Sequence, residues 1–407
     1  LKNSVLLPIT LSLVGGLLSG LIFLENAAAM LTFVAFVPML IIAKKCNFLI
    51  TNLYAVLCAI LAISIQNWSC ISNAGAIEYT IQLLIFTLPW VLYQLIRSRH
   101  NEKLGYLTLV SSWVFLEWLA AQYATNWVGL QLGHSLMVFP FLVKWYSLLG
   151  ISAGTVWILV INIQLSRIIL PAQSFTRNQA LINGSLVLII PILISIFWVK
   201  SQESGTISGI LKDNNGRIVL SSSKNEMLVA NEGSQKSNLY DSSCDTVVNA
   251  GFVNGEGNNR QLSTKMVRMG NIGGIKGQYI TVGDFDNKRI GLINGSSLVR
   301  ADLVRVYALE KCAMLICFAE ASEISASIVS SRAMENNIDI LLLKKEQAIL
   351  YLKSGKRMQK IKDFNLKHEK HSFFSLYGDL TGRLSIFVTL WMLLGTIVKP
   401  YRKNTGG

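Results

Sequence analysis

The uneven partition of charge constrains this chain most. Residues 1–200 hold four acidic residues, Glu25, Glu78, Glu102 and Glu117, whereas residues 201–380 hold nineteen. Long apolar runs recur through the first part, near 4–24, 27–43, 49–66, 77–96, 104–124, 141–165 and 179–199, and once more near 382–399. Each approaches the roughly 20 residues that a helix needs to cross hydrocarbon. The whole chain is only 15% charged, against about 25% in soluble domains. The pattern predicts a polytopic α-helical membrane bundle of about eight spans. Seven lie in residues 1–200, a soluble domain occupies 201–380, and residues 381–407 hold the eighth helix and a tail. The first apolar run exceeds the roughly 7–15 residues of a signal-peptide core and more spans follow, so it reads as a retained helix.

Cations set the expected orientation. Lys44 and Lys45, then Arg97, Arg99 and Lys103, then Arg167 and Arg177, then Lys399, Arg402 and Lys403 occupy every second connection. The intervening short loops, near 25–26, 67–76 and 125–140, carry no Lys or Arg. Short loops rich in Lys and Arg stay in the cytoplasm. Both termini are therefore expected inside and residues 201–380 outside. The formal net charge of +14 is largely this topology, with anionic lipid headgroups as the natural counter-charge. Nothing in the distribution supports nucleic-acid binding.

Six cysteines give no framework. Cys46, Cys58 and Cys70 lie in or beside spans, and Cys244, Cys312 and Cys317 lie in the soluble domain. Three cannot all pair. No His/Cys/Asp cluster has metal-ligand spacing, and no cofactor is expected. The Gly-rich run at 270–277 lacks the ending of a phosphate loop and reads as a flexible loop.

Within 201–380 the pattern turns to short β-like runs at 206–211, 226–231, 246–253, 278–283, 289–294, 313–318, 338–343 and 348–353. Helical patterns fall at 298–310 and 322–336. Continuous apolar runs of this kind suit strands buried on both faces in a layered α/β fold. The stretch "RIGLINGSSLVR" (289–300) is the sharpest local signal. A strand runs into a tight turn and then a helix, the geometry on which many α/β enzymes hold a nucleophile.

Several segments resemble the bacterial apolipoprotein N-acyltransferases: "FVAFVPML" (33–40), "SSWVFLEWL" (111–119), "LQLG" (130–133), "VKWYSLLGISAGTVWILVIN" (143–162) and "FFSLYGDLTGRLSIF" (373–387). In the soluble domain "RAMENN" (332–337) and "AILYLKSG" (348–355) are similar to that family's late helix and strand. The resemblance implies eight spans in the bacterial inner membrane and a periplasmic nitrilase-like α-β-β-α sandwich between the seventh and eighth, here reduced. It implies phospholipid and diacylglyceryl-modified lipoproteins as partners. The family's chemistry moves an acyl chain from phospholipid to a lipoprotein's N-terminal amine through a cysteine thioester, with a glutamate base and a lysine facing the oxyanion. A thiolate attacks well and leaves well, so it divides one difficult transfer into two.

Carried over by position, the resemblance puts the base at Glu232, preceded by Asn231 where the family has Pro, and the oxyanion lysine at Lys265. The seat of the nucleophile falls on Gly295, with Ser297 in place of a following Glu. This implies a catalytically impaired or inactive homologue that keeps lipid or lipoprotein binding. In a different register "LICFAE" (315–320) makes Cys317 the nucleophile and Glu320 its neighbour, which implies an active N-acyltransferase. Three further residues carry expectations from the sequence. Glu117 is expected near headgroup level beside Trp113 and Trp118, Lys144 as a snorkelling interface anchor, and His134 on the surface.

Overall fold

The computed structural model describes residues 6–22, 27–66, 76–123, 131–171, 177–198, 209–214, 217–221, 226–230, 246–249, 265–268, 279–285, 288–318, 324–344, 347–358, 363–364 and 371–398. The first part is helical: α1 (Leu6–Leu21), α2 (Val37–Lys45), α3 (Phe48–Gln66), α4 (Ala76–Arg99), α5 (Glu102–Tyr123), α6 (Leu132–Ser135), α7 (Tyr146–Leu149), α8 (Ile151–Ile169) and α9 (Arg177–Trp198). Among the described residues six segments are long and apolar enough to cross a membrane: Ala28–Lys45, Phe48–Ile65, Tyr79–Arg99, Glu102–Gln122, Ile151–Ile169 and Arg177–Phe197. Six of the about eight expected spans meet this length among the described residues. Leu6–Leu21 and Leu380–Thr396 are apolar helices but shorter.

Two expected spans are also built differently. The second begins as a 3-10 turn, Ala27–Phe33, and becomes α-helical only at Val37, where Pro38 stands in the first turn. Pro is tolerated there because the first N–H groups of a helix have no intrahelical partner. The span expected at 141–165 does not exist as one helix. Residues 132–149 form short turns, and a continuous helix starts only at Ile151. Pro140 and Gly150 supply the break. Gly150 has φ +76°, and a Cβ there would lie 2.6 Å from the Phe374 ring, so only glycine fits.

Close backbone approach holds the bundle where side chains are small. A Cβ on Gly16 would sit 2.8 Å from the Cys58 carbonyl, and one on Gly20 2.7 Å from Ile65 Cβ. α1 therefore lies directly against α3, the packing that small residues permit in lipid. An aromatic group fills the centre: Trp113 stands edge-on to Phe36, Phe86 and Trp90 at centroid distances of 4.9, 5.4 and 6.4 Å. The exposed side of α9 is apolar, with Ile182, Ile196 and Phe197 all more than half exposed.

The part after α9 is a mixed α/β unit. Its strands are β1 (Gly209–Asn214), β2 (Arg217–Ser221), β3 (Glu226–Ala230), β4 (Thr246–Asn249), β5 (Lys265–Arg268), β6 (Tyr279–Phe285), β7 (Lys288–Asn294), β8 (Met314–Phe318), β9 (Asp339–Lys344), β10 (Gln347–Tyr351), β11 (Arg357–Met358) and β12 (Asp363–Phe364). One sheet has the order β12-β1-β2-β3-β4 and the other β11-β10-β9-β8-β7-β6-β5. In the larger sheet β7, β8 and β9 run parallel, and most of their apolar residues are buried as the continuous runs predict, Leu292 and Phe318 being half-buried. A separate single turn, α10 (Gly295–Leu298), precedes helices α11 (Ala301–Leu309) and α12 (Ala326–Asn336), which fall in the two expected helical stretches. Leu303, Val304, Ile328 and Val329 share one apolar cluster with Leu315, Cys317, Ile340 and Leu342 of the central strands. Fully burying such a side chain contributes about 1.5–3 kcal/mol. The chain returns through α13 (Phe373–Tyr377) to the apolar helix α14 (Leu380–Val398), which packs on α5.

Candidate functional site

The strand-turn-helix elbow expected at 289–300 is formed. β7 ends at Asn294, whose side chain accepts the Ser297 amide at 3.1 Å, and Gly295 opens the single turn of α10. An Asn in this cap position satisfies one of the amides that a helix start leaves open. Behind the turn, a Cβ on Gly291 would meet the Tyr307 ring at 2.4 Å, so α11 rests directly on the strand. Gly295 is buried, and no cysteine occurs in residues 289–300.

Register places the other candidates around this turn. Cys317 pairs across the sheet with Ile293, two residues before Gly295, at the C-terminal end of β8. Its side chain is fully buried among the residues that join the sheet to α11 and α12, the setting of a small core hydrophobe. Lys265 opens β5 and pairs with Val282, which pairs in turn with Gly291. It therefore stands two strands across and four residues back from Gly295, about 10 Å and about 13 Å on strand geometry. Arg268, at the other end of β5, is nearer the level of the elbow: it pairs with Tyr279, two residues before the Thr281 that faces Leu292. Glu232 and Glu320 lie outside the described residues.

A buried polar chain that sequence reasoning missed leaves the elbow from its far side. Val299, directly after α10, offers its carbonyl to Arg332 Nη2 at 3.0 Å. Arg332 Nη1 meets Glu335 Oε2 at 2.6 Å, both side chains being 1% exposed. Glu335 Oε1 then accepts the amide of Ile151 at 2.8 Å. Three contacts thus join the elbow to the first residue of a membrane-spanning helix. Burial raises the Glu335 pKa above the ordinary carboxyl range, while the Arg332 charge and the Ile151 amide oppose that rise.

Two more carboxylates surround the start of α8. Asp379, just ahead of α14, accepts the Ser152 hydroxyl and, at 2.8 Å, the Gly382 amide. Burial lifts its pKa to about 6 despite these two hydrogen bonds. Glu117 of α5 accepts Trp113 Nε1 and the Leu132 amide at 3.0 Å each, and the Thr155 hydroxyl at 2.7 Å. The chain continues through the Gly133 amide on Thr155 and the Tyr146 hydroxyl on the Gly133 carbonyl. Carboxylates suit this place because a helix N-terminus carries partial positive charge and open N–H groups.

Two expectations are corrected here. Glu117 is not an exposed group beside Trp113 and Trp118; it is 2% exposed and joins α5, α6 and α8. His134 is not on the surface; it is buried in α6, and burial, reinforced by the Arg332 charge, holds its pKa well below the usual histidine range. The helical 3–4 spacing of Arg332, Glu335 and Asn336 on an amphipathic segment was the available signal. It pointed to one face of α12 without saying what that face would meet.

The fold and this junction define a multi-pass helical membrane protein that carries a mixed-sheet α/β domain. No protein-family model matches the chain, and no curated protein matches it.

Proposed function

We propose that this chain is a divergent relative of the apolipoprotein N-acyltransferases that has kept the scaffold of the acyl-transfer site and lost its nucleophile. The observation that carries the reading is the elbow itself. Gly295 occupies the strand-to-helix turn, and Arg332 and Glu335 fix that turn to α8. Glycine offers no atom on which an acyl group can rest. Removing a covalent nucleophile from such a constellation costs about 10⁶-fold in rate. The proposed role is binding phospholipid or diacylglyceryl-modified lipoprotein without turnover, at the inner membrane of a bacterium, with residues 201–380 on the periplasmic side as a reduced nitrilase-like sandwich. Glu232 and Lys265 are the vestigial base and oxyanion lysine in this reading.

An active enzyme acting through Cys317 is the competing reading, and the position of Cys317 beside the elbow favours it. Its sulfur would have to leave an apolar core to meet substrate, which argues against it. The test uses a synthetic peptide bearing diacylglyceryl-cysteine, offered in mixed phospholipid micelles. Retention of the peptide with no N-acylated product is expected. N-acylated peptide in the mass spectrum would overturn the proposal.

A further inference from the structure

A second cluster of charge lies at the opposite end of α8, sixteen residues and about 24 Å along the helix from Ile151. Tyr93 and Tyr106 stand together there, with ring centroids 5.4 Å apart. Three cations surround the pair. Arg167 lies 4.8 Å and Lys44 6.0 Å from the Tyr106 centroid, and Arg97 lies 6.0 Å from that of Tyr93. They come from α8, α2 and α4, so folding alone assembles them. A carboxylate stands among them: Glu102 sits 3.7 Å from Lys44 and takes the Tyr106 hydroxyl at 2.8 Å.

Helix ends absorb part of the excess. Lys44 donates to the Leu170 carbonyl at the end of α8, at 3.0 Å, and Arg97 donates to the Ala43 carbonyl near the end of α2. Each helix C-terminus is equivalent to about half a negative charge. Around the tyrosine pair three cations face the Glu102 carboxylate, so the cluster has the sign that attracts a phosphate. Arg97 and Arg167 are half-buried, so a headgroup can reach these two, while the Lys44 side chain, 9% exposed, adds its charge from behind them. Apolar surface borders the cluster: Leu107, next to Tyr106, is 45% exposed, and Ile169, next to Leu170, is 56% exposed.

We propose that Lys44, Arg97 and Arg167, arranged around the Tyr93–Tyr106 pair, form a binding site for the phosphate of an anionic phospholipid. The site is separate from the elbow and independent of any acyl-transfer chemistry. Basic recesses between membrane helices hold anionic headgroups by this combination of charge and adjoining apolar wall. Arginine adds planar paired donors that match a phosphate.

The test is a lipid titration of the full-length protein in non-ionic micelles, read by native mass spectrometry. Phosphatidylglycerol and phosphatidylcholine are compared, and inorganic phosphate is added as a competitor in a separate arm. Phosphatidylglycerol should bind at least about tenfold more tightly than phosphatidylcholine. The pair Arg97→Gln and Arg167→Gln should weaken phosphatidylglycerol about thirtyfold. Arg177→Gln, a cation at the same end but outside the cluster, should leave it unchanged. Equal binding of the two lipids by the wild-type protein would overturn the proposal. So would equal loss in Arg177→Gln, or displacement of the lipid by inorganic phosphate at matching concentration. If the double variant fails to fold, the wild-type comparison decides alone.

Discussion

Glu335 of α12 accepts the backbone amide of Ile151, the first residue of α8, across 184 residues of chain and at 2.8 Å. The α/β domain therefore supplies an N-terminal partner for a membrane-spanning helix, and the carboxylate that does so is itself neutralised by Arg332. Removing it in Glu335→Ala leaves the Arg332 guanidinium buried and without its counter-charge. Breaking a buried pair in this way costs about 3–5 kcal/mol. The thermal midpoint of the purified protein should fall sharply. Glu335→Gln, which can still accept from Ile151, should fall less.

Glu117 answers three donors, from Trp113, Leu132 and Thr155. Glu117→Ala leaves all three without their acceptor, at about 1–3 kcal/mol for each buried group left open. Glu117→Gln keeps one acceptor oxygen and should unfold at an intermediate temperature. Equal midpoints for the two variants would mean that this hydrogen-bonded hub does not support the bundle.

The junction should also respond to pH through Asp379. Its folded pKa of about 6 lies above the ordinary value of 3.8, so the folded protein binds the proton more readily than the unfolded chain. Stability then falls as pH rises from about 4 through about 6. Thermal midpoints measured across this window should decline with rising pH in the wild-type protein. Asp379→Asn, which preserves an acceptor for Gly382 and a partner for Ser152, should flatten the trend.

Two glycines should behave in opposite ways. A Cβ at Gly133 would lie 2.3 Å from the Ile151 carbonyl oxygen, a backbone atom that cannot easily yield, whereas a Cβ at Gly395 meets nothing within 4 Å. Gly133→Ala should lower the melting temperature by the equivalent of about 1–3 kcal/mol. Gly395→Ala, in a helix interior, should leave it unchanged or raise it.

Much of this architecture is legible in the residues. Apolar runs mark the helices because lipid demands that every backbone group be satisfied within its own segment. The runs at 289–294, 313–318 and 338–343 become β7, β8 and β9 because parallel strands are covered on both sides. β2 was missed because its five residues Arg217–Ser221 show no long apolar run, and β5 because Lys265 and Arg268 bracket only two apolar residues. The break before α8 was missed because residues 141–165 are almost uniformly apolar. Hydropathy cannot register that Gly150 must adopt a positive φ. Glu117 and His134 were placed too near the surface because a lone ionisable residue carries no label for its partners. Those partners, Thr155 and Leu132 for the first and the Arg332 side of α12 for the second, lie 15 or more residues away.

The central claim, that the elbow is retained without a group able to hold an acyl chain, is tested most directly by intact mass measurement of the protein after incubation with phospholipid. The account predicts the unmodified mass for the wild-type chain and for Cys317→Ala alike. A mass increase of one acyl group on the wild-type protein, absent from Cys317→Ala, would contradict it.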